Sequence, residues 1–268
     1  FTVIRIASFY TSPQMSQWYR GKRTRNFFEP GQAKPYKLSR SKLDSFLNCP
    51  RCFYIDRRLG VGIPPSFPFN LNSAVDHLLK KEFDEYRQRG EPHPLMQAAG
   101  IKAIPCQHEK LKDWIENFKG VQVHHKETNL IITGAIDDLW ITPDEEYVVV
   151  DYKATSKDEP VTIDAPWQKA YKRQMEIYQW LLRGNGLQVS NTGYFVYCNG
   201  QRNLPRFDSR LEFDVSLIPY VGDDSWVEEC VVDAHACLIE DEIPPMATDC
   251  DYCLYYELVE ELVQDRNE

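Results

Sequence analysis

The sequence has no apolar run approaching the roughly 20 residues that an α-helix needs to span a bilayer. Its first ten residues lack the basic start, the long apolar stretch and the small-residue cleavage site of a secretory signal peptide. We therefore expect no membrane-spanning segment and no secretion. The chain begins with Phe1 rather than Met, and we expect the natural start to lie upstream.

The composition excludes two further classes of protein. The 268 residues are 43% hydrophobic and 26% charged, close to the globular average, so we expect neither a disordered chain nor a coiled coil. The net charge of -9 argues against a generic nucleic-acid coat protein. Residues 1–60 nevertheless hold 12 Lys and Arg against 3 Asp and Glu, a net charge of +9, and residues 61–268 carry the remaining -18. This basic segment either steers a polyanion to one face or is a solvated arm.

Four of the eight cysteines form two CxxC pairs, Cys49 with Cys52 and Cys250 with Cys253. Secreted disulfide frameworks are usually smaller and richer in cysteine, so this usage favours a cytoplasmic protein. Two thiolates three residues apart can bind one soft metal ion or cluster, and we expect all four to share one centre that joins the two ends of the domain. The alternatives are buried apolar cysteines, or a redox pair at Cys49 and Cys52, around which no βαβ pattern is seen.

The spacing of apolar residues predicts one α/β domain with a central mixed sheet and helices at both ends. Helical spacing predicts helices over 71–88, 109–118, 165–184, 223–240 and 252–264, and a first helix that begins after Ser39 or Ser41 and runs through Leu47. Alternating apolar residues predict strands at 121–127, 129–137, 138–142, 146–153, 193–199 and about 209–217, with a tight turn near Pro143 and Asp144. We expect Pro92 and Pro94 to end the helix that precedes them.

Charged residues stand at the end of the most apolar strand, EYVVVDYK. Asp151 and Lys153 are two residues apart and therefore share one face of that strand. Burying them is unfavourable unless they have partners or a function, although an isolated DxK is most often a surface salt bridge. Asp137 or Asp138, on the preceding strand of a predicted hairpin, can lie beside Asp151. Two carboxylates and a carbonyl would suit Mg²⁺ or Mn²⁺, and a lysine there can help a water attack a phosphodiester.

Six short stretches of the chain, in their order along it, resemble the motifs of the RecB-like branch of the PD-(D/E)XK nuclease superfamily. That branch includes exonuclease domains of bacterial recombination helicases and CRISPR-adaptation nucleases. The matching stretches, which span residues 38–255, are LSRSKLDSFLNCPRCFY, AVDHLLKKEF, GAID, DYK, QMEIY and DCDYC. The resemblance implies a restriction-endonuclease-like core in a single nuclease domain over residues 38–268, preceded by a basic segment over residues 1–37.

The resemblance also implies what the residues do. It implies that Asp137 and Asp151 bind Mg²⁺ or Mn²⁺, with His77 as a further ligand. The residues with implied catalytic roles are Asp137, Asp151, Lys153, Gln174 and Tyr178. The implied activity is that of a deoxyribonuclease, favouring an exonuclease on DNA ends or single strands. The alternatives are a catalytically silent DNA-binding or assembly module of a repair, recombination or CRISPR-adaptation complex, and a metal-sensing or redox protein.

The resemblance favours a 4Fe–4S cluster on Cys49, Cys52, Cys250 and Cys253. Relatives with such a cluster usually place one cysteine in the first helix and three near the C-terminus, whereas this chain has two and two, which also suits Zn²⁺. The expected partners are DNA and a helicase or another repair or CRISPR protein, with no membrane. From Phe207 onward the chain has 18 Asp and Glu against 2 Lys and Arg. We therefore expect DNA to approach through basic residues in 20–58 and nearby aromatic residues.

Overall fold

The strand-rich middle of the chain forms two β-sheets, with helices packed against them. The computed structural model describes residues 21–65 and 69–266. The strands are β1 (Tyr36–Ser39), β2 (Ile104–Pro105), β3 (Val121–His125), β4 (Leu130–Gly134), β5 (Asp138–Ile141), β6 (Tyr147–Thr155), β7 (Thr192–Gly200) and β8 (Phe213–Val221). The helices are α1 (Arg40–Asn48), α2 (Pro50–Arg57), α3 (Asn70–Arg89), α4 (Pro94–Ala98), α5 (Leu111–Trp114), α6 (Lys169–Gly184), α7 (Val227–Ile239) and α8 (Asp251–Asp265).

The larger sheet has the order β2-β5-β6-β7-β8, in which β6 and β7 are parallel and the other neighbours are antiparallel. The smaller sheet has the order β1-β4-β3, with β1 parallel to β4. The expected α/β architecture with mixed strands is confirmed. The strands divide between two sheets rather than forming one, because the chain leaves β4 after Gly134 and begins β5 only at Asp138.

The hairpin of β5 and β6 brings the acidic residues of the two strands together. Its turn, at the position that the sequence predicted, is closed by hydrogen bonds between Thr142 and Glu146 and between Glu145 and Thr142, both 3.0 Å long. In the antiparallel register Asp138 lies opposite Val150. Asp137 is therefore carried to the position opposite Asp151.

Helix α6 lies against both sheets and contributes much of the core. It follows a 3₁₀ turn at Pro166–Gln168, and its buried apolar side chains are Met175, Ile177, Tyr178, Leu181 and Leu182. Contacts with β3, β4, β6, α1 and α7 surround it. This arrangement fixes the face of α6 that carries Gln174 and Tyr178 relative to β6, because a well-packed helix cannot rotate without opening voids.

Several predicted boundaries differ from the structure. The predicted helix over 109–118 is a single turn, because the chain turns again at Glu116 and Gly120. Helix α2 was not predicted, although Pro50 occupies its first turn, where proline is favoured. Helix α3 ends at Gly90, which has a φ of 67°, and Pro94 begins α4 rather than ending α3. Residues 1–20, the first part of the predicted basic segment over residues 1–37, lie outside the described residues.

Candidate active site and cysteine centre

Asp151 is the most deeply buried acidic residue of the site. It lies on β6, and none of its surface is exposed. One carboxylate oxygen, Oδ1, accepts a hydrogen bond of 2.7 Å from Nε2 of Gln174. The other oxygen, Oδ2, contacts the ammonium group of Lys153 and has no other partner. A buried carboxylate is unfavourable without such charged and polar partners, so this arrangement accounts for an acid within an apolar strand.

Asp137 lies beside Asp151, directly before β5. Its Oδ2 accepts a hydrogen bond of 3.0 Å from the backbone N–H of Tyr152, and its side chain is 23% exposed. Burial raises the pKa of Asp151 to about 7; Lys153 opposes this shift, and the neighbouring carboxylate of Asp137 adds to it. Two adjacent carboxylates repel each other when both are charged, and a cation between them relieves that repulsion.

The sequence left Asp137 and Asp138 as alternatives, and the structure separates them. Asp138 is buried and points the opposite way, where it forms an ion pair with Arg87 at 2.5 Å. It also accepts a hydrogen bond of 2.7 Å from the hydroxyl group of Tyr152. Since neighbouring residues of a strand face opposite sides, only Asp137 is directed toward Asp151.

Gln174 and Tyr178 project from α6 toward Asp151 and Lys153. The amide nitrogen of Gln174 lies 3.1 Å from the hydroxyl oxygen of Tyr178, and its amide oxygen lies 3.5 Å from Nζ of Lys153. Gly134 leaves room for the Tyr178 ring, because a Cβ at that position would lie only 2.6 Å from Cε1 of the ring. The glycine of the GAID stretch and the tyrosine of the QxxxY motif therefore pack directly against each other.

His77 does not join this group: its side chain is exposed on α3, and its role as a metal ligand stays a prediction. The preceding residue, Asp76, lines a cavity of about 110 Å³ together with Lys153. Lys80, one helical turn after Asp76, lies 3.3 Å from Asp137. Sequence reasoning missed Asp76 and Lys80, which the helical spacing could have found. Asp76 lies three residues before the buried Leu79 and so shares its face of the helix, whereas His77 does not.

Basic residues of the first helices are partly used inside the protein. Arg23, Lys42 and Arg57 all form ion pairs with Asp56, which is only 4% exposed. Burial alone would raise the pKa of Asp56, but Arg57 and Lys42 outweigh it and hold that pKa well below its usual range. Arg40 is directed toward the active site, with its guanidinium carbon 6.0 Å from the centre of the Tyr178 ring.

The four cysteines of the two CxxC motifs meet in one buried cluster, as the sequence predicted. All four sulfur atoms lie within 4.8 Å of one another, although the motifs are nearly 200 residues apart. Sγ of Cys52 lies 3.5 Å from Sγ of both Cys250 and Cys253, and Cys49 lies 3.8 Å from Cys253. Burial alone would raise the pKa of Cys49, but backbone N–H groups of Ala247 and Cys52 lower it to about 7, which favours the thiolate.

The cluster is the main attachment of α8. Cys253 is the one buried residue of that helix, whereas Tyr255, Leu258 and Leu262 are largely exposed. An ion pair of 2.7 Å between Arg51 and Glu257 adds a second contact. Surface ion pairs contribute only about 0–1 kcal/mol, so the cysteines must contribute most of the attachment.

A family model described as the PD-(D/E)XK nuclease superfamily matches residues 37–258. None of the curated proteins compared with the chain matches it in sequence. Among solved structures, the crystal structure of SSO0001 is similar to this chain with a TM-score of 0.34 and 13% sequence identity, and the match covers 74% of each chain. Within the part of the chain that the structure describes, no helix is both long and apolar enough to cross a membrane.

Proposed function

Because the chain belongs to the PD-(D/E)XK nuclease superfamily, we propose that it is a metal-dependent deoxyribonuclease that hydrolyses phosphodiester bonds. The observation that carries this proposal is the convergence of Asp137, Asp151 and Lys153 on β6, the central strand of the larger sheet. Exonuclease action on DNA ends or single strands is the form that the sequence resemblance favours. We further propose a cytoplasmic location, and a helicase or another repair or CRISPR-adaptation protein as a partner.

Asp137 and Asp151 would hold Mg²⁺ or Mn²⁺, since their carboxylates are the hard oxygen donors that these ions prefer. The fit is supported by the burial of Asp151 and by its Oδ2, whose one contact is with Lys153. When bound, the ion would act as a Lewis acid on the phosphodiester and neutralise charge that develops there.

The remaining side chains would align the reactants. The ammonium group of Lys153 would orient the attacking water and stabilise the negative charge that forms on the phosphate. The amide of Gln174 fixes the orientation of the Asp151 carboxylate through its 2.7 Å hydrogen bond, and the Tyr178 hydroxyl group fixes that amide in turn. The silent DNA-binding alternative has less support, because such proteins often lose an acid or the lysine and this chain retains them.

Digestion of end-labelled single-stranded and duplex DNA tests this function. We expect cleavage that requires Mg²⁺ or Mn²⁺, and a loss of at least about 100-fold in Lys153→Ala, the scale of removing one transition-state donor. Lys102→Ala is the matched control, because Lys102 is an exposed lysine just before β2. DNA binding without cleavage would favour the silent assembly module, and the absence of both would favour a protein built around the cysteine centre.

We also propose that the cysteines bind one tetrahedral metal ion, for which Zn²⁺ is the best candidate. Four sulfurs about 2.3 Å from one tetrahedral ion lie about 3.8 Å apart, which agrees with the observed separations of 3.5 and 3.8 Å. In a 4Fe–4S cluster each sulfur binds a different iron, so the sulfurs would be farther apart.

Anaerobic purification, metal analysis and an absorption spectrum distinguish the two centres. A colourless protein with one zinc per chain supports the single ion. A brown protein with broad visible absorbance and bound iron and sulfide would instead establish the cluster that the sequence resemblance favours.

A further inference from the structure

We propose that Asp76, rather than the adjacent His77, is the third protein ligand of the divalent-ion site, and that Lys80 competes with the ion for Asp76 and Asp137. This inference rests on the proposed nuclease function, because it concerns the same site. It assigns to α3 a carboxylate that binds the ion and a lysine that weakens its binding.

The first observation is the orientation of α3 against the end of β6. The side-chain amide of Asn72 donates a hydrogen bond of 3.3 Å to the backbone oxygen of Ala154, just beyond Lys153. Leu79 and Phe83 are buried against the larger sheet. Asp76 lies on the same side of the helix as these residues and enters the cavity that Lys153 lines, whereas His77 is turned toward solvent.

The second observation is the position of the Lys80 ammonium group. Its Nζ lies 3.0 Å from Oδ2 of Asp76 and 3.3 Å from Oδ1 of Asp137, so one positive charge joins an acid of α3 to the acid directly before β5. A cation held between two carboxylates shows where the local potential is most negative. A divalent ion with oxygen ligands would be attracted to the same place.

The third observation is independent of α3. Asp151 is fully buried and its Oδ2 has only the contact with Lys153, so this site includes a buried acid with free coordinating capacity. The three acids Asp76, Asp137 and Asp151 contribute a charge of -3, and Lys80 and Lys153 contribute +2, so one negative charge remains. A bound divalent ion would give the site a net charge of +1 if Lys80 stayed and of zero if Lys80 moved away. The ion is therefore best accommodated when Lys80 moves away.

Such a movement is feasible for Lys80, since its side chain is 27% exposed and lysine has a long, flexible stem. Among the described residues the carboxylates of the three acids do not all lie within 4.8 Å of one another, so they must move closer together when an ion binds. A third carboxylate in place of an imidazole makes the ligand set harder. We therefore expect the site to prefer Mg²⁺ and Mn²⁺ over Co²⁺ and Ni²⁺ more strongly than a site with histidine would.

Titration with Mn²⁺, followed by electron paramagnetic resonance of the free ion, tests the assignment without using activity. The full chain is used with its cysteine centre loaded, and thermal melting confirms that each variant is folded. Asp76→Asn should weaken Mn²⁺ binding by at least about tenfold, as expected when an anionic ligand is lost, and His77→Gln should change it by less than about twofold.

Lys80→Met should strengthen Mn²⁺ binding several-fold, because it removes the competing charge and keeps the length of the side chain. Lys81→Met is the matched control, since Lys81 is an exposed neighbour on α3. Weaker binding in His77→Gln with normal binding in Asp76→Asn would overturn the proposal. So would normal binding in Asp76→Asn when Asp151→Asn abolishes it, although the nuclease assignment would then stand. A wild-type protein that neither binds Mn²⁺ nor cleaves DNA would overturn both.

Discussion

Replacing Gly134 by alanine should disturb the proposed active site, although Gly134 itself has no proposed catalytic role. The added Cβ would lie 2.6 Å from Cε1 of Tyr178 and 3.3 Å from Cδ1 of Leu181. Carbon atoms in contact are normally about 3.5–4.0 Å apart, so the Tyr178 ring must move by about 1 Å. The ring is buried and is joined through Gln174 to Asp151, so its displacement passes to the acid that we propose binds the metal.

Two magnitudes follow from this geometry. Overpacking of a well-packed core destabilises a protein by about 1–3 kcal/mol, which corresponds to roughly 2–4 °C in melting temperature per kcal/mol for a domain of this size. A displacement of about 1 Å in a catalytic constellation can lower the rate about 100-fold. We therefore expect Gly134→Ala to remain folded at room temperature while its kcat on single-stranded DNA falls about tenfold or more.

Gly200→Ala is the matched control, because Gly200 also ends a strand and a Cβ there would meet its nearest neighbours at an ordinary 3.4 Å. Thermal melting and single-turnover cleavage are measured for both variants. If Gly134→Ala melts several degrees lower but cleaves at the wild-type rate, then the position of Tyr178 does not control Asp151. If Gly200→Ala is equally impaired, the effect comes from losing a strand glycine and not from the Tyr178 ring.

Three further perturbations test other parts of the structure. Asp56→Asn should lower the free energy of unfolding at neutral pH by about 1–3 kcal/mol, because it removes the carboxylate that pairs with the half-buried Arg57 and with the more exposed Arg23 and Lys42. Since Asp56 has a lowered pKa when folded, the wild type should lose this advantage as the pH falls below about 4, which urea unfolding at several pH values measures. Tyr178→Phe should lower kcat about two- to tenfold with KM unchanged, the value of one hydrogen bond, as steady-state kinetics can show. Cys253→Ser should weaken binding of the metal that we propose for the cluster and expose α8 to limited proteolysis, whereas Cys237→Ser, outside the cluster, should do neither.

The fold class and the order of the motifs could be predicted from the sequence because they depend on local patterns. Alternating apolar residues identified β3 to β6, and the charged end of EYVVVDYK identified Asp151 and Lys153. The meeting of the four cysteines was also predictable, since two CxxC motifs have few other joint uses. The division into two sheets was not predictable, because it depends on which strands pair after the chain leaves β4.

Two details of the site required the tertiary structure. The choice between Asp137 and Asp138 depends on the register that pairs Asp138 with Val150. The length of the turn sets that register, and the sequence located the turn only near Pro143 and Asp144. The position of His77 was inferred from a motif, whereas the apolar face of α3 determines that Asp76 faces the site. A shift of one residue on a helix rotates a side chain by about 100°, so motif matching alone cannot decide which neighbour reaches an ion.

The measurement that tests the central assignment most directly is the restoration of DNA cleavage by Mn²⁺ in protein treated with a chelator. End-labelled single-stranded DNA is incubated with wild type and with Asp151→Asn, and single-turnover rates are followed as the ion is added back. Because we propose that Asp137 and Asp151 bind the ion, we expect no cleavage without it. Adding the ion back should restore cleavage in the wild type and not in the variant. Cleavage that persists without a divalent ion, or that proceeds equally well in Asp151→Asn, would contradict the assignment.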